Sequence, residues 1–349
     1  MSRRAEVGAF CASDVGFGYL LPINPATPLR VNFALQPSPI VAMPSTRKAL
    51  WQIHFCVLLW GFTAILGKLI TLPALALVWW RMGLVTLALL LLPRVWRGLR
   101  TLPPRLLLAY AGIGVLVSLH WLTFYGAIKL ANASVAVSCI ALAPVFVAIL
   151  EPRITGRAFV PRELWLGAAV VPGVALVVGG VPSGMLAGFA VGTLSALLVA
   201  VFGAFNKRLV DRADPLTVTC LELGAGMLFL SLLAPVLGGV GITALPSQHD
   251  ALLLLVLALV CTLLPFALSL VALRHLSAYS AQLAVNLEPV YAIVLAVVLL
   301  GEQRDLAPAF YLGVAIILLA VFVQPWLSGR HNAPVAELLA TAEPKSAAE

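Results

Sequence analysis

The sequence predicts an all-α membrane protein of ten transmembrane helices, arranged as two inverted five-helix repeats. Three observations lead there. Hydrophobic residues make up 62% of the 349 and charged residues only 10%, with a mean hydropathy of +1.05. A soluble domain needs about 25% charged residues to cover its surface, and this chain cannot supply them. Ten apolar stretches, each near the roughly 20 residues that a helix needs to cross a bilayer, then follow one another along the chain. Finally, the fourth and ninth stretches resemble each other. A five-helix unit starts on one side of a membrane and ends on the other, so a second copy that follows directly must sit upside down.

The stretches lie at about 50–69, 74–92, 106–128, 133–150, 164–181, 185–205, 216–238, 251–273, 278–300 and 307–327. The runs are continuous rather than alternating, which excludes an outer-membrane barrel. Backbone groups in hydrocarbon must be satisfied within their own segment, so each run is expected to be a helix. Basic residues fix the orientation. One set of loops holds Arg47 and Lys48, Arg94, Arg97, Arg100 and Arg105, Arg153, Arg157 and Arg162, Lys207, Arg208 and Arg212, Arg274 and Arg330. The other set holds Lys68, Lys129 and Arg304. This bias puts both termini in the cytoplasm of a multi-pass protein of the cell inner (plasma) membrane.

The net charge of +8 is thereby spent on topology and on anionic headgroups, not on nucleic acid. Residues 1–46 carry Pro22, Pro25, Pro28, Pro37, Pro39 and Pro44 and no span-length apolar run, so a disordered extension is expected there. Met43, just ahead of Arg47, is an alternative start to Met1. Residues 328–349 are expected to form a disordered cytoplasmic tail, and the two repeats to occupy 47–181 and 185–327. The five cysteines show neither CxxC nor paired spacing and read as small packing residues.

An offset of 145 residues aligns the fourth and ninth stretches. Ala127, Ala133 and Ala136 meet Ala272, Ala278 and Ala281. Leu142, Pro144, Val145 and Leu150 meet Leu287, Pro289, Val290 and Leu295. These are seven identities in 24 positions, against roughly two or three by chance in so biased a composition.

Ionisable groups inside a span are functional candidates, because placing them in hydrocarbon costs a few kcal/mol or more. Glu288 lies mid-span directly before Pro289, and proline there loosens the helix and frees carbonyls. Gln282 and Asn286 share a helical face, whereas Asn286 and Glu288 are about 200° apart unless Pro289 distorts the turn. The repeat mate offers Ser134, Ser138 and Pro144, with Ala143 in place of Glu288. A serine there can instead bond its own i−4 carbonyl. Arg81, after Trp79 and Trp80, has two readings: an ion pair with Glu222 across the repeats, or an anchor for a substrate carboxylate or phosphate. His120, Trp121, Thr123 and Tyr125 cluster in the third stretch, and His54, Trp60 and Thr63 in the first. Lys68 and Lys129 sit at span ends. No Walker A loop, metal-ligand set or GxSxG motif occurs, so no cofactor, metal or catalytic residue is expected.

Several of these residues resemble a known family. Leu59-Trp60-Gly61-Phe62 with Gly67-Lys68, Trp80-Arg81, Pro144, Pro289 and Gly301-Glu302 followed by Gly313 are similar to motifs of the EamA branch of the drug/metabolite transporter superfamily. The resemblance covers residues about 47–327. It implies ten membrane helices, export or exchange of small metabolites, and a central cavity built mainly by the third, fourth, eighth and ninth helices. Two departures stand out. Gly156-Arg157 occupies the place of Gly301-Glu302 in the first repeat, and Glu151-Pro152 is additional.

The expectation is a secondary transporter, an exporter or exchanger of a small organic, amino-acid-like metabolite, working by alternating access and not an enzyme. A membrane-embedded lipid-modifying enzyme and a sugar-phosphate or nucleotide-sugar exchanger stand as alternatives. Expected partners are a small-molecule substrate and the bilayer, with a homodimer left open and nucleic acid excluded. Glu288 would carry protons.

Overall fold

The structure is a computed structural model and describes residues 45–237, 242, 245–285 and 287–328. The N-terminal extension, Met43, the tail beyond residue 328 and Asn286 lie outside the described residues. Helix is the only regular secondary structure among those described. In chain order the helices are α1 Ser45–Leu69, α2 Ala74–Leu90, α3 Pro93–Thr101, α4 Pro104–Leu130, α5 Ala133–Ile140, α6 Ala143–Thr155, α7 Pro161–Ala168 and α8 Val171–Gly179. They continue as α9 Leu186–Leu209, α10 Pro215–Leu233, α11 Gln248–Leu255, α12 Leu264–Leu273, α13 Ala278–Val285, α14 Glu288–Leu295 and α15 Pro308–Ser328.

Among the described residues, seven helical runs are long and apolar enough to cross a membrane: α1, α4, α5–α6, α9, α10, α11–α12 and α13–α14 with its extension to Leu300. The other three expected crossings take different forms. α2 continues into α3 only through a 94° bend. The bend falls at Pro93, whose ring excludes the preceding residue from helical geometry. The fifth stretch divides into α7 and α8, with Pro172 at the second position of α8, where it removes a backbone donor. α15 runs 21 residues.

Two π-helical segments interrupt the regular winding, Val256–Leu263 between α11 and α12 and Ala296–Leu300 after α14. The fourth and ninth stretches are each broken in the middle. α5 ends at Ile140 and α6 begins at Ala143 with Pro144 in its first turn. α13 ends at Val285 and α14 begins at Glu288 with Pro289 in its first turn. The same proline thus breaks the same place in both repeats.

Two groups of helices face each other. α4, α5 and α6 pack along α9, and α12, α13 and α14 pack along α1. α10 bridges α2 and α4, and α8 lies along α15. Glycines set the closest approaches, as expected where helices associate without a hydrophobic driving force. A Cβ on Gly114 would strike the Glu222 carbonyl, and one on Gly226 would stand 2.6 Å from the Gly114 carbonyl, so α4 and α10 touch backbone to backbone. α8 and α15 do the same, since a Cβ on Gly173 would stand 2.7 Å from the Gly313 oxygen.

The broken helices are tied to each other at both ends. Glu302, beyond the end of α14, accepts from the backbone of Ala133 and Ser134 at the start of α5, at 3.1 and 3.0 Å. Glu151, near the end of α6, accepts from the backbone of Ala278 and Tyr279 at the start of α13, both at 2.9 Å. The two broken helices therefore run antiparallel.

Gly313→Leu should destabilise the fold by about 1–3 kcal/mol or more, because a core with no room must shift backbone to admit the side chain. Gly112→Ala, where a Cβ meets nothing within 4 Å, should be neutral. The melting temperatures of the two variants in detergent give the comparison.

Candidate functional site: a central cavity at the helix breaks

Between the two groups of helices lies a cavity whose water-accessible volume is about 130 Å³. Its polar wall is built around the break between α13 and α14. Glu288 is the first residue of α14, so its carboxylate sits at the positive end of that helix. Arg81 of α2 lines the same cavity, within electrostatic reach of Glu288. Gln282 of α13 lines it too, and its Nε2 has no hydrogen-bond partner among the described residues.

Arg81 is 3% exposed and tightly held. Its Nε donates to Thr262 Oγ1 at 2.5 Å and its Nη1 to the Tyr125 hydroxyl at 2.8 Å. The guanidinium carbon lies 3.8 Å from the centroid of the Trp121 ring. A cation over a desolvated indole gains about 2 kcal/mol. Together these contacts fix the fork and leave the remaining guanidinium donors for an anionic group. Thr262 is in place because the π segment lets its hydroxyl donate five residues back, to the Leu257 carbonyl at 2.6 Å.

Much of the remaining lining is aromatic. His120, Trp121 and Phe124 come from α4, Phe202 from α9, Phe266 from α12 and Trp60 from α1. The His120 ring stands 5.4 Å from Phe202, and its Nδ1 lies 2.8 Å from Ser195 Oγ and 2.9 Å from the Ser195 carbonyl. His120 is thus a bonded wall residue. The break between α5 and α6 carries Ala143 where α14 carries Glu288, so only one of the two breaks brings a carboxylate to the cavity.

The sequence candidates separate accordingly. Glu288, Gln282, Arg81, His120 and Trp60 line the cavity. Tyr125 stands behind it, fully buried, holding Arg81. Pro144 and Pro289 shape the breaks without lining the cavity, and Asn286 lies outside the described residues. Ser138 turns back to its own helix, donating to the Ser134 carbonyl at 2.7 Å. His54 and Thr123 are not among the lining residues, and Lys129 donates to the Ile70 carbonyl at 2.6 Å.

The suggested Arg81–Glu222 ion pair is absent. Glu222 sits where α10 meets α4, and its carboxylate accepts from Asn206 Nδ2 at 3.4 Å. Thr262, Ser195, Asn206 and Ser269 are polar residues of the site that the sequence did not single out. A lone hydroxyl in an apolar run carries no periodic signal.

The sequence pattern of the EamA-like transporter family matches residues 47–179 and, a second time, residues 186–324. The chain belongs to the EamA-like transporter family. It is therefore a multi-pass membrane protein with two EamA repeats. No curated protein matches the chain. A crystal structure of a protein is similar over 83% of this chain and 100% of its own, with a TM-score of 0.59 and 18% identity, which shows a shared fold alone.

Glu222→Gln should cost less than about 1 kcal/mol, since an amide keeps a bond to Asn206. Were Glu222 the partner of Arg81, the same change would leave a buried cation unpaired and cost about 3–5 kcal/mol. Thermal melting of the variant separates the two values.

Proposed function

We propose that this EamA-like chain is a secondary transporter that exports or exchanges a small amino-acid-like metabolite by alternating access. The observation that carries the reading is one cavity holding a fixed cation, Arg81, opposite a carboxylate, Glu288, within aromatic walls. A zwitterion with an apolar body satisfies all three. Arg81 takes its carboxylate, Glu288 its ammonium, and Trp60, Trp121 and Phe266 cover the rest. Among the described residues Arg81 is the one Lys or Arg lining the cavity. That disfavours a sugar phosphate or nucleotide sugar, whose phosphates call for several cations.

In this reading the chain crosses the inner membrane ten times with both termini in the cytoplasm. Residues 47–181 and 185–327 are then inverted copies. The antiparallel broken helices and the shared prolines support the inversion, since helix breaks at the repeat interface are where such transporters hold substrate. α2, α7–α8 and α15 supply the three crossings beyond the seven long ones. Glu288 carries the coupling proton, exchanging it for the substrate's ammonium.

The test is counterflow in proteoliposomes loaded with single amino acids, alongside a melting-temperature screen, because a ligand of the folded state raises the melting temperature. Arg81→Lys should lower flux about tenfold or more, since an ammonium cannot reproduce the planar fork that bonds Tyr125 and Thr262 while stacking on Trp121. Glu288→Gln should abolish flux driven by a pH gradient while the protein still inserts and melts cooperatively. Flux that still follows the pH gradient in that variant removes Glu288 from coupling. Melting unmoved by every zwitterion, but moved by an organic anion, removes the substrate class.

A further inference from the structure

Glu222 is fully buried in α10, and the central cavity does not use it. The other buried glutamates outside that cavity are well supplied with donors. Glu302 accepts from the backbone of Ala133 and Ser134 and from Ser134 Oγ, the last at 2.7 Å. Glu151 accepts from the backbone of Ala278 and Tyr279 and from Arg157 Nη2, the last at 3.1 Å. Glu222 has a single donor, Asn206 Nδ2, which reaches its Oε2 at 3.4 Å. Glu222 Oε1 has no partner among the described residues, and neither has Oδ1 of the same Asn206. Both orphans are acceptors, and both are sealed from solvent.

No cation offsets this carboxyl. On α4, Gly114 lies against the Glu222 backbone, and the Tyr110 hydroxyl donates away from it, to the Leu209 carbonyl at 2.8 Å. On α2, Arg81 is held by Thr262 and Tyr125. On α3, Arg94 pairs with Asp214, while Arg97 and Arg100 are exposed. On α9, Lys207 donates to the Leu273 carbonyl at 2.7 Å, and Arg208 is exposed, as is Arg212 beyond it. After α12, Arg274 donates to the Ala213 carbonyl at 3.0 Å and lies 3.9 Å from Asp211. One long bond does not offset the burial of a charged carboxylate, and a group so placed takes up a proton instead.

We infer that Glu222 and Asn206 form a proton-binding site, separate from Glu288, in which one proton on Glu222 Oε1 closes an acid–amide pair. The protonated Oε1 donates to Asn206 Oδ1, while Asn206 Nδ2 goes on donating to Oε2. A single proton thus satisfies both orphans and leaves no charge in the core. A water or a metal ion would need space beside these two oxygens, and a proton needs none. The site also has a way in. Asn206 lines the central cavity and, on its other side, a second cavity of about 10 Å³, the scale of one water, bounded by Tyr110, Val210, Ala213 and Pro215. Ala213 and Pro215 belong to the turn between α9 and α10. The proton therefore exchanges with water through Asn206. The site stands without the transport reading; under that reading it holds a second exchangeable proton beside the cavity.

Infrared spectroscopy of the purified protein at neutral pH tests this without any substrate, because a neutral carboxylic acid has a carbonyl stretch separate from the carboxylate and amide bands. Glu222→Gln should remove one such band from the wild-type spectrum while the protein melts as before, since the new amide supplies the donor that the O–H supplied. Glu288→Gln should leave that same band in place. Transfer to heavy water should shift it to lower frequency. Asn206→Leu, which takes away the partner, should shift it to higher frequency, and serves if Glu222→Gln does not fold.

A band lost in Glu222→Gln and moved by heavy water supports the site. Identical acid bands in wild type and Glu222→Gln, or an acid band that only Glu288→Gln removes, overturn it. A Glu222 band that heavy water leaves unmoved overturns the exchange through Asn206. None of these measurements needs flux, so their failure leaves the transport proposal standing, and failed counterflow leaves this site standing.

Discussion

The first backbone N–H groups of any helix lack partners within it. At α5 and α13 the donors of Ala133, Ser134, Ala278 and Tyr279 are buried in the protein interior, where leaving one unpaired costs about 1–3 kcal/mol. Both helices start beside a chain reversal, so neither has its own preceding residues to cover the whole first turn. Asn132 and Ser277 each satisfy one donor, and a carboxylate from the far end of the opposite broken helix satisfies two more. Charge-assisted bonds of this kind are about twice as strong as neutral ones, and the helix dipole adds to them. The requirement to satisfy four buried donors is thus what sets the two broken helices side by side and antiparallel. The cavity occupies the space beside their midpoints.

The same logic at smaller scale builds the cavity. A proline in each broken helix removes the ladder at mid-length, and in the second repeat the resulting helix start receives Glu288. Arg81 is the balancing charge. Its cost of burial is met by a hydroxyl on each of two neighbouring helices and by the face of Trp121. The other repeat has Ala143 at the corresponding place, so only one break offers a carboxylate to the cavity. Duplication supplied the frame, and divergence at a few positions made the frame chemically directional.

Much of this was legible in the sequence because hydropathy and proline are strong local signals. The apolar runs, the breaks at Pro144 and Pro289 and the placement of Glu288, Gln282, Trp60 and Arg81 by the cavity all follow from one-dimensional patterns. What was not legible depends on long-range approach. Gly114 and Gly226 bring α10 against α4, which carries Glu222 to Asn206 and away from Arg81. Thr262 and Ser195 were hidden in apolar runs, where one hydroxyl looks like any other. The departures at Arg157 and Glu151 looked like losses of a motif. In three dimensions they are a relocation, since a carboxylate one and a half turns earlier reaches the same kind of helix start, and a cation fills the vacated place.

The π segment Val256–Leu263 has one more consequence. Such a segment absorbs an added residue without adding a turn. In an α-helix each residue advances the wheel by about 100°. Removing one residue here would return the run to regular α-helix and leave Phe266, Ser269 and Leu270 on the wall they now form, while taking away the five-residue reach by which the Thr262 hydroxyl finds the Leu257 carbonyl. The extra residue at this spot thus serves the Arg81 side chain, because it sets the hydroxyl that the guanidinium Nε meets.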